Sequence, residues 1–289
     1  MDNWDDLKFV LALSRHGTMT AAAQALGTNV ATVSRRIDRI TERSATPLFV
    51  KVNGQWQATP TALGFIRAAE EFDAKVRSEE NNARDAAGQT DQQVRITAMP
   101  FVHHSVLIPG LATLRKARPN IRVCLRNRAE SLGLGDTDIV LRFGRPDAGR
   151  LVARKVADLR FHAFCRARQT PRPGWIGVAE EFDDRPSNRL GVELFGSEPS
   201  MRCDIFEHVL EATKATGMAG IIPDVLGRQD PALDLVPGCR QGIEVEIWMA
   251  FHQSRREDVA LRGVADWIVG AFADTAWANI EDEVEIAAE

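Results

Sequence analysis

Cysteine is sparse in this chain of 289 residues: Cys124, Cys165, Cys203 and Cys239 stand far apart, and no two have the spacing of metal ligands. Four scattered thiols in a chain this long are not a disulfide framework, so reduced cysteines and no structural metal are expected. Long apolar runs are missing too. No stretch approaches the roughly 18 uninterrupted apolar residues of a membrane-spanning helix, so no membrane partner is expected. The opening Met1-Asp2-Asn3-Trp4-Asp5-Asp6 is acidic where a secretory signal needs positive charge, and the apolar run at 9–13 is too short for one; a cytoplasmic location is the expectation. There is no glycine-rich phosphate loop and no nucleophile elbow, so neither a cofactor nor a catalytic residue is expected. Tyrosine is absent altogether, and nothing in the pattern explains it.

What is present describes an ordinary folded protein. Apolar residues make up 44% and charged residues 26%, with 21 Gly and 13 Pro, which excludes collagen-like, coiled-coil-only and disordered chains. The length allows two or three compact units.

Residues 1–57 are alanine-rich and helical in pattern. Leu7, Val10, Leu11 and Ser14 repeat at helix spacing until Gly17 ends the run. Thr18 or Thr20 then caps a short helix at 21–26, closed by Gly27, and Thr28 or Asn29 caps a third whose expected buried stripe is Val30, Val33, Ile37 and Ile40. Helix, glycine turn and helix make a helix-turn-helix. Leu48-Phe49-Val50-Lys51-Val52 and Gln55-Trp56-Gln57-Ala58 flank the turn dipeptide Asn53-Gly54, which reads as a two-stranded wing.

From Thr59 to about Gly88 the chain carries no helix breaker beyond Pro60 and Gly64. Phe65, Ala69, Phe72 and Val76, continued by Glu79, Ala83 and Ala86, form a heptad seam. The seam suits either packing on the chain itself or dimerisation; the polar stretch 89–93, read as a linker, favours the dimer. From Val94 the pattern changes. Strands at 94–98, 121–125 and 138–142 alternate with a helix at 106–118, and a second set has segments at 162–165, 191–195, 220–222 and 245–252 with helices at 205–216 and 259–272. Strands separated by helices imply parallel βαβ units in two α/β lobes of about 80 residues.

Phe9, Gly17-Thr18, Ala22-Ala23, Leu26, Ser34-Arg35, Ile37, Leu48-Phe49, Thr59 and Gly64 together resemble, without a gap, the N-terminal signature of LysR-type transcriptional regulators. Arg95-Ile96, Leu107-Ile108-Pro109, Arg118-Pro119, Thr137-Asp138-Ile139 and 217–223 continue the resemblance more weakly through the rest of the chain. It implies an N-terminal winged helix-turn-helix (1–59), a linker and dimerisation helix (60–88), and a C-terminal α/β two-lobed, periplasmic-binding-protein-like effector domain (89–289). Lobe I would take about 93–160 and 255–289, lobe II about 161–254. The family's usual Gln is Val30 here, its Pro or Ser is Ala31, its Leu-Glu pair is Ile40-Thr41, its Leu-Gly pair is Ser44-Ala45 and its wing Arg is Lys51. Val30 can offer a thymine methyl only apolar contact, where Gln would pair with adenine. The effector domain is also shorter than usual between Leu125 and Asp138 and between Cys165 and Gly191.

Between Thr28 and Lys51 the cations Arg35, Arg36, Arg39, Arg43 and Lys51 outnumber Asp38 and Glu42, in a chain whose net charge is −4. Positive charge concentrated this way suits a polyanion; a solvated helix face laced by pairs such as Arg35 with Asp38 and Arg39 with Glu42 is the plainer alternative. At the start of the recognition helix, Asn29, Val30, Ala31, Thr32, Ser34 and Arg35 are expected to reach base edges. Arg36, Arg39, Thr18, Thr20, Lys51 and Asn53 are better placed for phosphates.

By the same resemblance, the inter-lobe cleft would be lined by Thr97, Ala98, Met99, Pro100 and Phe101, by His103 and Asn127, by Met201 and Arg202, and by the Gly217-Met218-Ala219 turn. The family's effectors are often small carboxylates, which Arg202 or Arg142 could pair. His103-His104 invites a metal reading, but helix neighbours point about 100° apart and cannot readily share an ion. The paired acids Glu180-Glu181 and Asp183-Asp184 read as solvated surface. The expectation is therefore a sequence-specific regulator of double-stranded promoter DNA, forming a dimer and by resemblance a tetramer, controlled by a small-molecule effector and in possible contact with RNA polymerase. One rival drops the effector and leaves the C-terminal domain to oligomerise; a remoter one makes the lobes an enzyme with a DNA-targeting module.

Overall fold

A computed structural model of the protein describes residues 5–44, 46–86, 92–127, 137–146 and 150–274. The N-terminal unit is built from α1 (Asp5–His16), α2 (Met19–Ala25) and α3 (Val30–Ser44), followed by β1 (Phe49–Val52) and β2 (Gln55–Ala58). Thr18 is the residue that caps α2, accepting from the Ala21 amide at 3.1 Å, and Asn29 does the same for α3 through Thr32 at 2.8 Å. Val33, Ile37 and Ile40 pack with Leu7, Val10 and Leu13 in one core, but Val30 is 43% exposed and does not belong to the buried stripe. The first turn of α3 projects beyond α1 and α2, so only from Val33 onward does its apolar side find partners. The strands pair antiparallel around a two-residue turn in which Asn53 and Gly54 both have positive φ (50° and 84°), the geometry that Asn-Gly favours. The Trp56 amide donates to the Gly17 carbonyl at 2.7 Å and hooks the wing to the α1–α2 turn.

α4 (Pro60–Ala86) is a single helix of 27 residues, with the Thr59 hydroxyl accepting from the Ala62 amide at its start. Its two ends are held by different units. Ala62, Ile66 and Ala69 join the N-terminal core, whereas Asn81 donates to Asp258 at 3.0 Å, far along the chain. Gln92 and Gln93, expected in a linker, are the first residues of the next strand; 89–91 lie outside the described residues.

The C-terminal part runs β3 (Gln92–Thr97), α5 (Pro100–Val102), a π-helical turn (His103–Leu107), α6 (Ile108–Ala117), β4 (Ile121–Arg126), β5 (Ile139–Phe143), β6 (Leu151–Arg166) and β7 (Arg172–Val178). It continues through α7 (Pro186–Phe195), β8 (Met201–Cys203), α8 (Phe206–Thr216), β9 (Met218–Pro223), α9 (Asp224–Gly227), β10 (Leu233–Leu235), β11 (Ile243–His252) and α10 (Val259–Ala273). The helix expected at 106–118 thus begins six residues earlier. Pro109 has no N–H to return to the Ser105 carbonyl, and the helix widens into its π turn just upstream.

Among the described residues nine strands form one sheet, in the order β4-β3-β5-β11-β6-β9-β7-β8, with β10 on β6. It is mixed rather than all parallel: β3 with β4 and β5, and β7 with β8 and β9, are parallel, but β6 and β11 run antiparallel to each other over ten residue pairs. These two long strands pass between the lobes. The segment expected at 162–165 is only the end of the sixteen-residue β6, whose earlier half alternates with too many charges to read as a strand. The segment expected as a strand at 191–195 is the second half of α7. Gly191 lies there because a Cβ would come within 2.3 Å of the buried Trp175 ring, so the position is set by close packing of helix on strand.

Candidate functional site

Two surfaces carry the chemistry. At the N-terminal unit, Asn29, Val30, Ala31 and Arg35 are exposed at the leading end of α3, with Thr32 and Ser34 half-buried beside them. A shallow groove along this helix is bounded by Ala31, Ser34, Arg35, Asp38, Arg39 and Glu42. Asn29 has its Oδ1 committed to the helix cap, which leaves the Nδ2 donors to offer a base. Lys51, Asn53 and Thr20 are exposed and Thr18 is half-buried.

Arg36 departs from the expected role. Its guanidinium donates to Asp6 Oδ1 at 2.6 Å and lies 5.4 Å from the Phe9 ring centroid, so its charge neutralises a carboxylate only 1% exposed. Arg39 leans on the same oxygen at 3.6 Å while keeping more solvent contact. Among the described residues the exposed cations of this face are therefore Arg35, Arg43 and Lys51, with Arg39 half-buried beside them. Asp38 accepts from Ser34 at 3.3 Å rather than pairing with Arg35.

The seam of α4 divides between two neighbours. Ala69 is buried against the N-terminal core and Phe65 is half-buried on it, whereas Phe72 and Val76 are exposed at 55% and 40%, with Leu63 at 49%. One part of the seam thus packs on the chain itself, while another presents apolar area outward.

The second surface is a cavity of about 210 Å³ between the lobes. Lobe I contributes Met99, Pro100 and Phe101 and the β5 residues Val140, Leu141, Arg142 and Phe143; the crossing strands contribute Phe161 and Val245. Across from them stand Val178, Phe182, Arg185 and Ser187, and the 204–207 segment at the start of α8. The N-termini of α5, α7 and α8 all border the space without a side-chain cap, but α5 and α7 begin on prolines that have no N–H and the Val102 and His103 amides donate to the Met99 carbonyl, so few backbone donors are left at these starts. Phe101, Phe143, Phe161 and Phe206 contact in a closed ring, with successive centroids 6.2, 6.0, 5.1 and 5.9 Å apart.

Of the residues expected in the cleft, Met99, Pro100 and Phe101 line it and the others do not. Thr97 and Ala98 are buried in the sheet beneath. His103 is turned away, its Nε2 bonded to the Arg126 carbonyl at 3.0 Å, and burial pushes its pKa down. Asn127 follows β4, at one edge of the sheet, and Met201 and Arg202 belong to β8 at the other. Arg202 is engaged by Asp183 at 2.5 Å and Glu198 at 3.1 Å. Gly217, Met218 and Ala219 follow the C-terminus of α8, whose N-terminus borders the cavity; eleven residues put them about 16 Å away along the helix. Arg142, the other cation considered, does line the space. Apart from Arg142, sequence alone missed the β5, α7 and α8 contributions. The uncapped starts Arg185-Pro186 and Ile205-Phe206 are a weak signal that could have pointed to them.

Burial raises the pKa of Glu207, against the opposing pull of a hydrogen bond to its own backbone and of the nearby His104 and His208. Its Oε2 is buried without a hydrogen-bond partner among the described residues. The described residues hold no group of three or more His, Cys, Asp or Glu side chains that could bind a metal. No described helix is long and apolar enough to cross a membrane.

Two protein-family models match the chain: bacterial regulatory helix-turn-helix protein, lysR family, over residues 4–71, and LysR substrate binding domain over 87–273. The Mau operon transcriptional activator of Paracoccus denitrificans is 25% identical over 289 residues, covering 94% of this chain and 98% of that protein. Among solved structures, ArgP from Mycobacterium tuberculosis superposes with a TM-score of 0.65 at 15% identity, over 95% of this chain and 99% of its own. CrgA, a LysR-type transcriptional regulator from Neisseria meningitidis, does so at 0.55 and 18% identity, over 95% and 100%. At these identities the structural likeness speaks to the fold.

Proposed function

The chain belongs to the LysR family, a transcriptional regulator with a DNA-binding helix-turn-helix and a two-lobed effector-binding domain rather than an enzyme, and on that premise we propose that a small molecule in the inter-lobe cavity modulates its binding to promoter DNA. The observation that carries the proposal is the cavity itself. It is apolar through most of its wall and carries Arg142 and Arg185, the chemistry that holds a small organic acid.

At the DNA end, Asn29, Val30, Ala31, Thr32, Ser34 and Arg35 read base edges, and Thr18, Thr20, Arg39, Lys51 and Asn53 hold phosphates, with Arg36 serving the domain's own packing. The exposed side of α4, with Phe72 and Val76, joins two copies, and pairs of dimers occupy a two-fold-related operator. Residues 1–59, 60–88 and 89–289 divide these tasks. A ligand that binds one lobe arrangement more tightly than another shifts the assembly toward it, which is all that control of DNA binding requires.

The test is selection of genomic fragments by the purified protein, followed by salt titration on the best fragment with and without a panel of organic acids. An inverted repeat, a steep negative salt slope and a ligand-dependent change in affinity are expected. Affinity unmoved by any acid that raises the melting temperature would defeat the modulation.

A further inference from the structure

With α3 as the helix that meets base edges, the chemistry left exposed on its first turn decides what it can recognise. Val30 is 43% exposed, a branched apolar side chain at the leading end of the helix and outside the core behind it. One exposed valine is ordinary on a protein surface and carries nothing alone. The groups around it give it meaning. Asn29 spends its Oδ1 on the Thr32 amide at 2.8 Å. Ser34, one turn after Val30 and on the same side of the helix, donates its hydroxyl to Asp38 Oδ2 at 3.3 Å. Ala31 is exposed and offers only a methyl group. Arg35, exposed and without an ion pair among the described residues, is left to fork onto a base from this end of the helix.

The leading turn therefore presents carbon where a recognition helix enters the major groove. The carbon feature that bases display there is the C5-methyl group of thymine. Cytosine has the same position bare, and methylation at C5 places a matching methyl on it. A hydrogen-bonding side chain tells thymine from 5-methylcytosine, because one presents the O4 acceptor and the other the N4 donor. Valine has neither a donor nor an acceptor in its side chain with which to do so.

We infer that, given base reading by α3, Val30 and Ala31 form a methyl-reading end for which thymine and 5-methylcytosine are equivalent, so that methylating a cytosine opposite Val30 strengthens binding as a thymine there does. Removing one methyl from water against an apolar side chain corresponds to about fourfold in affinity.

Selection from random duplex libraries by the purified full chain tests this. One library is copied with dTTP, a second with dUTP in its place, and a third with 5-methyl-dCTP in place of dCTP. A thymine preference is expected in the first and should vanish in the second, and in the third cytosine should share the thymine position. On the selected duplex, a single deoxyuridine at that position should cost about fourfold in affinity, and 5-methylcytosine there should restore what cytosine loses. Val30→Ala should remove most of this methyl dependence without moving the melting temperature, since the side chain is exposed. The library comparison on the unaltered protein decides by itself should the variant fold poorly. Identical base preferences from all three libraries, or an undiminished deoxyuridine penalty in Val30→Ala, would overturn the inference while leaving base reading by α3 intact. Sequence-blind selection from every library would overturn base reading as well, so the two failures are distinguishable.

Discussion

Arg35 and Lys51 are both exposed cations of the N-terminal unit, one on the recognition helix and one on the wing, and they differ in what lies within reach. A guanidinium on α3 can fork onto a guanine edge, whereas an ammonium on a β-ribbon meets the phosphate backbone. Arg35→Ala should cost about 1–3 kcal/mol on the operator and little on random DNA. Lys51→Ala should weaken both alike and flatten the salt slope, and titrations on the two DNAs separate these outcomes. His103 makes a prediction of a different kind. Its Nε2 bonds the Arg126 carbonyl while its Nδ1 is buried without a hydrogen-bond partner among the described residues, and burial lowers its pKa, as it does that of His252. The unfolded chain therefore binds more protons than the folded one below the ordinary histidine pKa of about 6.5, so stability is complete above that pH and declines as pH falls through it. Urea unfolding at pH 7.5 and 5.5 should show the decline, and His103→Gln should reduce it. The burial of His103 behind the cleft was not legible in the sequence, because it depends on β4, a strand that follows it by nearly twenty residues.

Among elements, α7 shows how a local pattern misleads. The stretch 191–195 alternates like a strand, yet Pro186 starts a helix, Gly196 ends it in a left-handed conformation (φ 63°), and Gly191 admits the Trp175 ring. Gly191→Ala would drive a methyl into that ring and should cost about 1–3 kcal/mol, seen as a lower denaturation midpoint with DNA contacts untouched. The long helix α4 was legible from its heptad seam, but the seam's partners were not: Ala69 faces its own chain, whereas Phe72 and Val76 are exposed. Phe72→Glu should accordingly convert the dimer to monomer in sedimentation while leaving the helical circular dichroism unchanged.

For the whole molecule the decisive feature is a buried charge cluster that binds α4 to the sheet. Arg255 joins Asp138 and Asp258, the latter at 2.5 Å; Asp138 also accepts from the Arg95 amide at 2.7 Å, and Arg77 and Asn81 of α4 approach the same two acids. Both acids and Arg255 are essentially sealed from solvent. Arg255→Leu would strand two buried carboxylates and should cost about 3–5 kcal/mol by chemical denaturation. Asp138 immediately precedes β5, which lines the cavity, so the cluster lies next to the cleft as well as to α4.

Sequence by itself determined the winged helix-turn-helix, its Asn-Gly turn, the long helix and the two-lobed α/β class and narrowed each cap to two residues, because periodicity, capping and turn chemistry act within a few residues of one another. The resemblance put 97–101 at the cleft as one segment; Met99, Pro100 and Phe101 border the cavity while Thr97 and Ala98 are buried beside it. Only the tertiary structure decided that Arg36 turns inward, that β6 and β11 cross between the lobes, and that Arg142, Arg185 and Glu207 face one space. Each of those depends on pairing between segments tens of residues apart, where register and burial are settled by packing and no local preference reports the outcome.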